Sequence, residues 1–593
     1  MDSFRLLDSR TLVDCTMGRT PADLVIRNGR WVCVQSGEIL PDTSLAVKDG
    51  RVAAVGADVR QTIGPQTRIL DAAGSYLVPG LLDGHMHVES GMLTVAEFCR
   101  AVIPHGTTGM FIDPHEIANV LGLPGVKLMV DEAALQPIHV FVQVPSCVPS
   151  SPGLETPGAE LSLDEVREAL GWPGVIGLGE MMDYPGVAYC DEKVHAKLEA
   201  ARRAGKVIGG HYPSADLDME FAGYAAGGAM DDHEGTRLEN AAARVRQGMR
   251  AMLRFGSAWH DVAAQVRAIT ELKLDPRHFV LCTDDSHSAT LVGEGHMDRV
   301  IRHAVAQGLP PLTAIQMATI NTAEHFGVSR EIGMIAPGRW ADILIVPDLV
   351  DFRPEVVIVR GQVAAEHGKP LTDTPSITYP DWALRTVHLK RALNAADFRL
   401  SGAKGRMTAN VIGVVENQAP TRHLRLPVKA RNGEIQCDAA RDIVKVALVE
   451  RHHGTGAVRV GLVQGFGFSE PCGLASTVAH DSHHVIVVGT DENDMAQAAN
   501  RLAQTGGGQV VVRRGEIIGE VDLPIAGLVS NEPAELVARK AESVLAGFRA
   551  CGCRLNNANM QLSLLALVVI PELRISDLGL VDVRRFQIID VLE

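Results

Sequence analysis

The sequence predicts an α/β protein: a TIM-like (β/α)8 barrel inserted in a small split β-sandwich domain, followed by a C-terminal α/β domain. Three observations carry this. Apolar runs alternate with helical patterns eight times between about residues 79 and 330, the rhythm and roughly the length of a (β/α)8 barrel. Short β-type runs punctuated by turn dipeptides stand just before that stretch and return just after it. Beyond a linker at Asp373-Thr374-Pro375, the remaining chain is long enough for a further domain. The expected boundaries are therefore 1–78 for the N-terminal segment and first part of the split β-domain, 79–330 for the barrel, 331–378 for the second part, and 379–593 for the C-terminal domain.

In order, the first β runs are Leu24 to Ile26, Trp31 to Val34, Ser44 to Val47 and Arg51 to Val55, with Asn28-Gly29 and Asp49-Gly50 as turns. Their continuation is expected at Ala341 to Val346 and Val356 to Val359, after Gly333 to Gly338. The eight barrel runs are Leu77 to Leu82, Thr108 to Ile112, His139 to Val144, Val175 to Leu178, Val207 to Gly210, Gly228 to Met230, Ala251 to Phe255 and Phe279 to Cys282. Gly228 to Met230 rests on the rhythm alone. Apolar spacing predicts helices at Val95 to Ile103, Glu192 to Ala204, Leu217 to Ala226, Glu239 to Met249, Val262 to Leu272 and Leu312 to Phe326. The C-terminal part shows β runs at Val458 to Val463, Val485 to Gly489 and Val510 to Val512, and helices at Met495 to Ala503 and Ala534 to Ala546.

Composition narrows the function classes. The 593 residues are 46% hydrophobic, and 56 basic against 71 acidic residues leave a net charge of −15. That balance argues against a nucleic-acid partner and for a small neutral or cationic substrate. Ten cysteines without a C-x-x-C pair indicate neither a zinc ribbon nor a secreted disulfide framework, so a cytoplasmic location is expected. Met1 to Arg19 mixes Asp2, Arg5, Asp8 and Arg10 into its apolar residues. With no run near the ~18 apolar residues of a membrane span, no export signal, anchor or membrane partner is expected.

The chemistry gathers where the apolar runs end. Pro79-Gly80-Leu81-Leu82-Asp83-Gly84-His85-Met86-His87 closes the first run with two histidines on one side of an extended chain. Asp113, His115 and Glu116 follow the second run, Glu180 the fourth, His211 the fifth, His233 the sixth, and Asp284 and Asp285 the eighth. In a parallel barrel those ends share one mouth. Four histidines and two carboxylates exceed the needs of one zinc site and suggest two divalent ions sharing a bridging carboxylate.

These residues resemble a known family. Pro79 to His87, the later His211 and His233, Thr283-Asp284-Asp285, the split flanking sheet and the Gly333 to Ile345 return resemble the amidohydrolase superfamily, a set of metal-dependent hydrolase barrels. Within it, Asp113-Pro114-His115-Glu116-Ile117-Ala118-Asn119-Val120, Gly177 to Asp183 and Ala479-His480-Asp481-Ser482-His483-His484 resemble the bacterial-type adenine deaminase family, and the resemblance runs over essentially the whole chain. Ring-opening members bridge their metals with a carboxylated lysine after the fourth strand. This chain has Glu180 there and no lysine between Lys127 and Lys193, which favours the deaminase branch. The alternative is a hydrolase of another cyclic amide or aminated heterocycle, which would share every ligand. A non-catalytic assembly protein on a retired barrel would be marked by missing ligands, and none of the six is missing.

The resemblance implies hydrolysis of adenine to hypoxanthine and ammonia by a metal-bound hydroxide at a binuclear centre. His85, His87 and Asp284 would hold one ion, His211 and His233 the other, with Glu180 spanning both. Imidazole and carboxylate donors suit Mn²⁺, Fe²⁺ or Zn²⁺, and the resemblance tips the choice to manganese. Asp284 would accept the proton of the attacking hydroxide and relay it to the departing amino group. Protonation of N1 calls for a protonated acid, either Glu116 or Glu89. Asp113 and His115 are candidates for binding substrate, orienting ligands or holding a further ion. Asp285 is a candidate for the imidazole edge of a purine or for capping the following turn; in an extended strand it points away from Asp284. The expected partner is a purine base, and a homo-oligomer is compatible with the sequence. His480, Asp481, His483 and His484 read as a solvent-facing strand-entry turn, with the alternative that this loop reaches over the barrel mouth. His105, His195, His260, His278, His303 and His325 read as solvated or satisfied core residues.

Overall fold

The computed structural model describes residues 9–402 and 405–593; Asp2, Arg5 and Asp8 of the expected N-terminal segment lie outside them. Five of the eight expected barrel runs begin or end where a strand does. The strands are β1 (Leu81–His87), β2 (Thr107–Ile112), β3 (His139–Val144), β4 (Val175–Met181), β5 (Val207–Gly210), β6 (Asp231–Asp232), β7 (Arg250–Arg254) and β8 (Phe279–Cys282). One parallel sheet runs β5-β4-β3-β2-β1 and a second runs β6-β7-β8. They curl into one TIM-like barrel. At one seam Met230 N–H donates to Ile208 O at 2.8 Å. At the other, the chain leaving β8 lays Asp284–Asp285 beside β1, with Asp284 opposite Met86 and Asp285 opposite His87.

Two expectations move. The run Leu77 to Leu82 divides: Tyr76–Pro79 pairs antiparallel with Ile343–Val346, whereas Leu81–His87 enters the barrel. Gly80 sits between them because a Cβ there would lie 2.1 Å from Thr108 Oγ1, so the chain crosses close to β2. The sixth strand lies just beyond Gly228 to Met230, since Gly228 ends the preceding helix in a left-handed conformation (φ +108°).

Strands on both sides of the barrel in sequence meet in one nine-stranded sheet, in which Ile343–Val346 pairs with Tyr76–Pro79, and Tyr76–Pro79 lies next to Leu24–Cys33. Another nine-stranded sheet, within residues 405–522, holds the three expected C-terminal runs. Helices form at most predicted positions, but Val262 to Leu272 is split into Val262–Gln265 and Arg267–Thr270, and Leu312 to Phe326 into Pro311–Met317 and Ile320–His325. The long helix His115–Ala134 was not expected, because Gly122 and Pro124 interrupt its pattern; the chain kinks at Gly122 (φ +63°). Its first turn carries His115 and Glu116 straight off the end of β2. Among the described residues, no helix is long and apolar enough to cross a membrane.

Candidate active site

The six residues expected as ligands converge at the mouth, all buried. His87 Nε2 lies 3.2 Å from Asp284 Oδ1 and 3.6 Å from Glu180 Oε1. His85 Nε2 lies 3.8 Å from the same Asp284 oxygen, and its ring stacks on His233 at 4.0 Å. Glu180 Oε2 is 2.7 Å from His211 Nδ1 and 3.2 Å from His233 Nε2. Glu180 thus presents one oxygen to the His87 side and the other to the His211–His233 side. Ligand atoms of His85, His87 and Glu180, of His85, His233 and Asp284, and of Glu180, His211 and His233 lie within 4.8 Å of one another in each group.

The donor set fits divalent metal. His85 Nε2 and His211 Nε2 are buried without hydrogen-bond partners, and burial together with the neighbouring His233 and His87 rings keeps His85 well below its usual pKa, as a neutral ligand requires. Burial disfavours the charged forms of Glu180 and Asp284, yet adjacent histidines hold both carboxyls well below the usual carboxylate range, with Arg254 adding to the effect at Asp284.

A tier of groups orients these side chains. His87 Nδ1 is 2.9 Å from the Asp113 carbonyl, which turns Nε2 to the cluster. Asp113 Oδ2 accepts from Glu180 N–H at 2.8 Å. Gly179 makes room for that carboxylate, since a Cβ there would lie 2.2 Å from Asp113 Oδ2. Asp113 therefore packs directly behind Glu180. Two members of this tier went unread in the sequence: Arg254 Nη1 donates to Asp284 Oδ2 at 2.7 Å and to Glu234 Oε1 at 2.5 Å. Their signal was positional, Glu234 directly following His233 and Arg254 ending β7.

The two candidate acids separate. Glu89 Oε1 accepts from Ile117 N–H at 3.2 Å, at the start of the His115–Ala134 helix, and its Oε2 is buried without a partner. Glu116 lines the cavity, and its Oε2 is buried without a partner. Burial lifts its pKa to about 7, against the pull of His480 and with the like charge of Glu89. Asp285 also faces the cavity. The expected alternation fails because Asp284 has φ +59°, outside extended geometry, so consecutive side chains reach the same space. Asp285 accepts from Ser90 Oγ through Oδ1 and from Trp259 Nε1 at 3.3 Å through Oδ2.

The Ala479–His484 loop is buried, not solvent-facing, and reaches over the mouth in the same chain. His480 Nδ1 lies 3.3 Å from Glu116 Oε1, and Asp481 Oδ1 lies 3.7 Å from His115 Nε2. His484 Nε2 meets the Thr156 carbonyl at 2.7 Å, fastening this segment to the loop after β3, which His453 Nε2 also holds at the Pro157 carbonyl, 3.0 Å away. Leu564, Leu567 and Ile570 add an apolar roof. By contrast, His105, His195 and His325 are paired to Asp298, the Val187 carbonyl and Asp231, away from the cavity.

Comparisons with known proteins agree with this architecture. Residues 76–364 match the model of the amidohydrolase family, and residues 418–587 match that of the adenine deaminase C-terminal domain. The chain is 61% identical over 584 residues to adenine deaminase 3 of Rhizobium meliloti, covering 98% of each chain. It is 60% identical to an adenine deaminase of Mesorhizobium japonicum, over 98% of this chain and 96% of that one. With an adenine deaminase of Ruegeria pomeroyi it shares 59% identity, over 98% and 97%.

Proposed function

Because this chain belongs to the adenine deaminase family of amidohydrolases, we propose that it hydrolyses adenine to hypoxanthine and ammonia, using divalent metal at the barrel mouth. The observation that carries the proposal is one buried cavity joining a metal-type cluster of four imidazoles and two carboxylates to a separate carboxyl, Glu116, whose pKa is lifted to about 7. We read His85, His87 and Asp284 as ligands of one ion, His211 and His233 as ligands of the other, and Glu180 as spanning both. Manganese is the preferred ion, with Fe²⁺ or Zn²⁺ also suited to these donors. When bound, the metal supplies positive charge that lets water ionise near neutral pH.

The remaining steps belong to the protein. Asp284, through the Oδ1 not committed to Arg254, takes a proton from the attacking water and passes it to the departing amino group. Glu116 gives its proton to N1 as C6 becomes tetrahedral, and recovers one from the C6 hydroxyl as ammonia leaves. Both carboxyl groups end the cycle as they began. His115 and Asp285 are read as facing the ring, and Asp113 and Glu89 as braces. We divide the chain at about residues 78, 330 and 378, into a split β-sandwich around the barrel and a C-terminal α/β domain. A cytoplasmic location accords with ten free cysteines.

Ammonia release from adenine, adenosine, guanine and cytosine, measured beside the ring opening of dihydroorotate, which frees no ammonia, tests the proposal. Adenine should be the best substrate by kcat/KM; preferential opening of dihydroorotate would overturn it.

A further inference from the structure

We propose that His480, contributed by the C-terminal part of the chain, is a positioning residue for the acid Glu116, deciding which of its two oxygens carries the proton delivered to N1. This rests on the role of Glu116 proposed above. A carboxylic acid has one proton and two oxygens, and only the oxygen aimed at N1 is useful. Ser90 alone would choose wrongly. Its Oγ lies 3.3 Å from Glu116 Oε1, but its single proton goes to Asp285 Oδ1 in the shorter hydrogen bond. The Ser90 oxygen is therefore an available acceptor, and without another influence Glu116 would place its proton on Oε1 and donate to Ser90.

His480 removes that option. Its Nδ1 is 3.3 Å from Glu116 Oε1 and 3.7 Å from Asp481 Oδ1, whereas its Nε2 is buried without a partner. Both acceptors stand at Nδ1, so Nδ1 carries hydrogen. That N–H sets positive charge 3.3 Å from Oε1, which disfavours a hydrogen on that oxygen, and the acidic proton is left on Oε2, the oxygen without a hydrogen-bond partner. When Oε2 gives its proton to N1, charge grows on the carboxylate and the N–H contact strengthens, a stabilisation larger in the transition state than before it. The loop that delivers His480 is fixed from behind: Arg451 donates to the His483 carbonyl, and His452 Nε2 meets the Ser482 carbonyl at 2.7 Å.

The test compares three variants of the full-length, metal-loaded protein. His480→Asn places an amide N–H where Nδ1 stood; His480→Gln fills the space but carries its amide beyond reach of Oε1; His480→Ala removes both. Alanine and glutamine should lower kcat for adenine about 10- to 100-fold, the usual cost of losing an outer partner of a catalytic group, with KM within about threefold and metal content unchanged. Asparagine should restore most of kcat. The asparagine–glutamine comparison stands even if the alanine variant fails to fold. Equal rates for asparagine and glutamine, an effect on KM alone, or loss of one ion with His480 would overturn the proposal, the last by making His480 a metal ligand with His115 and Glu116. A wild type inactive on adenine would instead sink the functional reading on which it rests.

Discussion

The floor and the roof of the cavity are built from similar side chains but held by different means. On the floor, His85, His87, Glu180, His211, His233 and Asp284 hang from strand ends, and the barrel ladder sets their positions. The roof has no ladder at the cavity. Two fully buried arginines hold it: Arg451 donates to the carbonyls of His483, Thr386 and Ala526, and Arg574 to those of Ile570, Leu564, Ala419 and Pro571. Burial pulls both guanidinium groups down to about 9, so each is costly to keep charged and is held by carbonyl dipoles. Damage to the floor should therefore abolish chemistry while leaving the fold, whereas damage to the roof should loosen the fold around intact ligands.

The sharpest break of that contrast is Glu180→Ala. It removes the one group that spans both halves of the cluster, and turnover should fall by on the order of 10³-fold or more, with metal content reduced. Metal analysis beside kcat checks it, and full activity with one tightly bound ion would refute the bridged pair. Asp284→Asn keeps size and an oxygen donor but cannot take a proton, so kcat should drop by about 10² or more. Wild-type turnover in this variant, both ions bound, would assign the proton transfer elsewhere.

On the roof, Arg451→Leu leaves carbonyls of His483, Thr386 and Ala526 without their donor. Unfolding in urea should show a loss of about 2 kcal/mol, with metal content retained and KM for adenine raised. Unchanged stability would mean that the loop is held by its histidine contacts alone. The smallest effect joins the two regions: Asp285→Ala releases Ser90 and Trp259 and should cost about tenfold in adenine turnover while both ions stay. The loss should be smaller on any slow pyrimidine substrate. Metal lost in proportion to activity would make Asp285 part of the floor scaffold.

The floor was legible in the sequence because local pattern and topology coincide there. A parallel barrel sends every strand's C-terminal end to one mouth, so reading where apolar runs stop is enough to gather His85, His87, Glu180, His211, His233 and Asp284. Only the tertiary structure decided what lies between and above them. Glu89 and Glu116 both follow strand ends, and the difference between a helix-start acceptor and a cavity-facing acid depends on how the His115–Ala134 helix leaves β2. Asp285 enters the cavity through the φ of its neighbour, which no periodicity reveals. His480 meets Glu116 across more than 360 residues of chain, because two packed surfaces bring them together. Periodicity records the surroundings of a residue along its own strand or helix; contacts between distant elements are set by the packing of whole faces, and leave no local pattern to read.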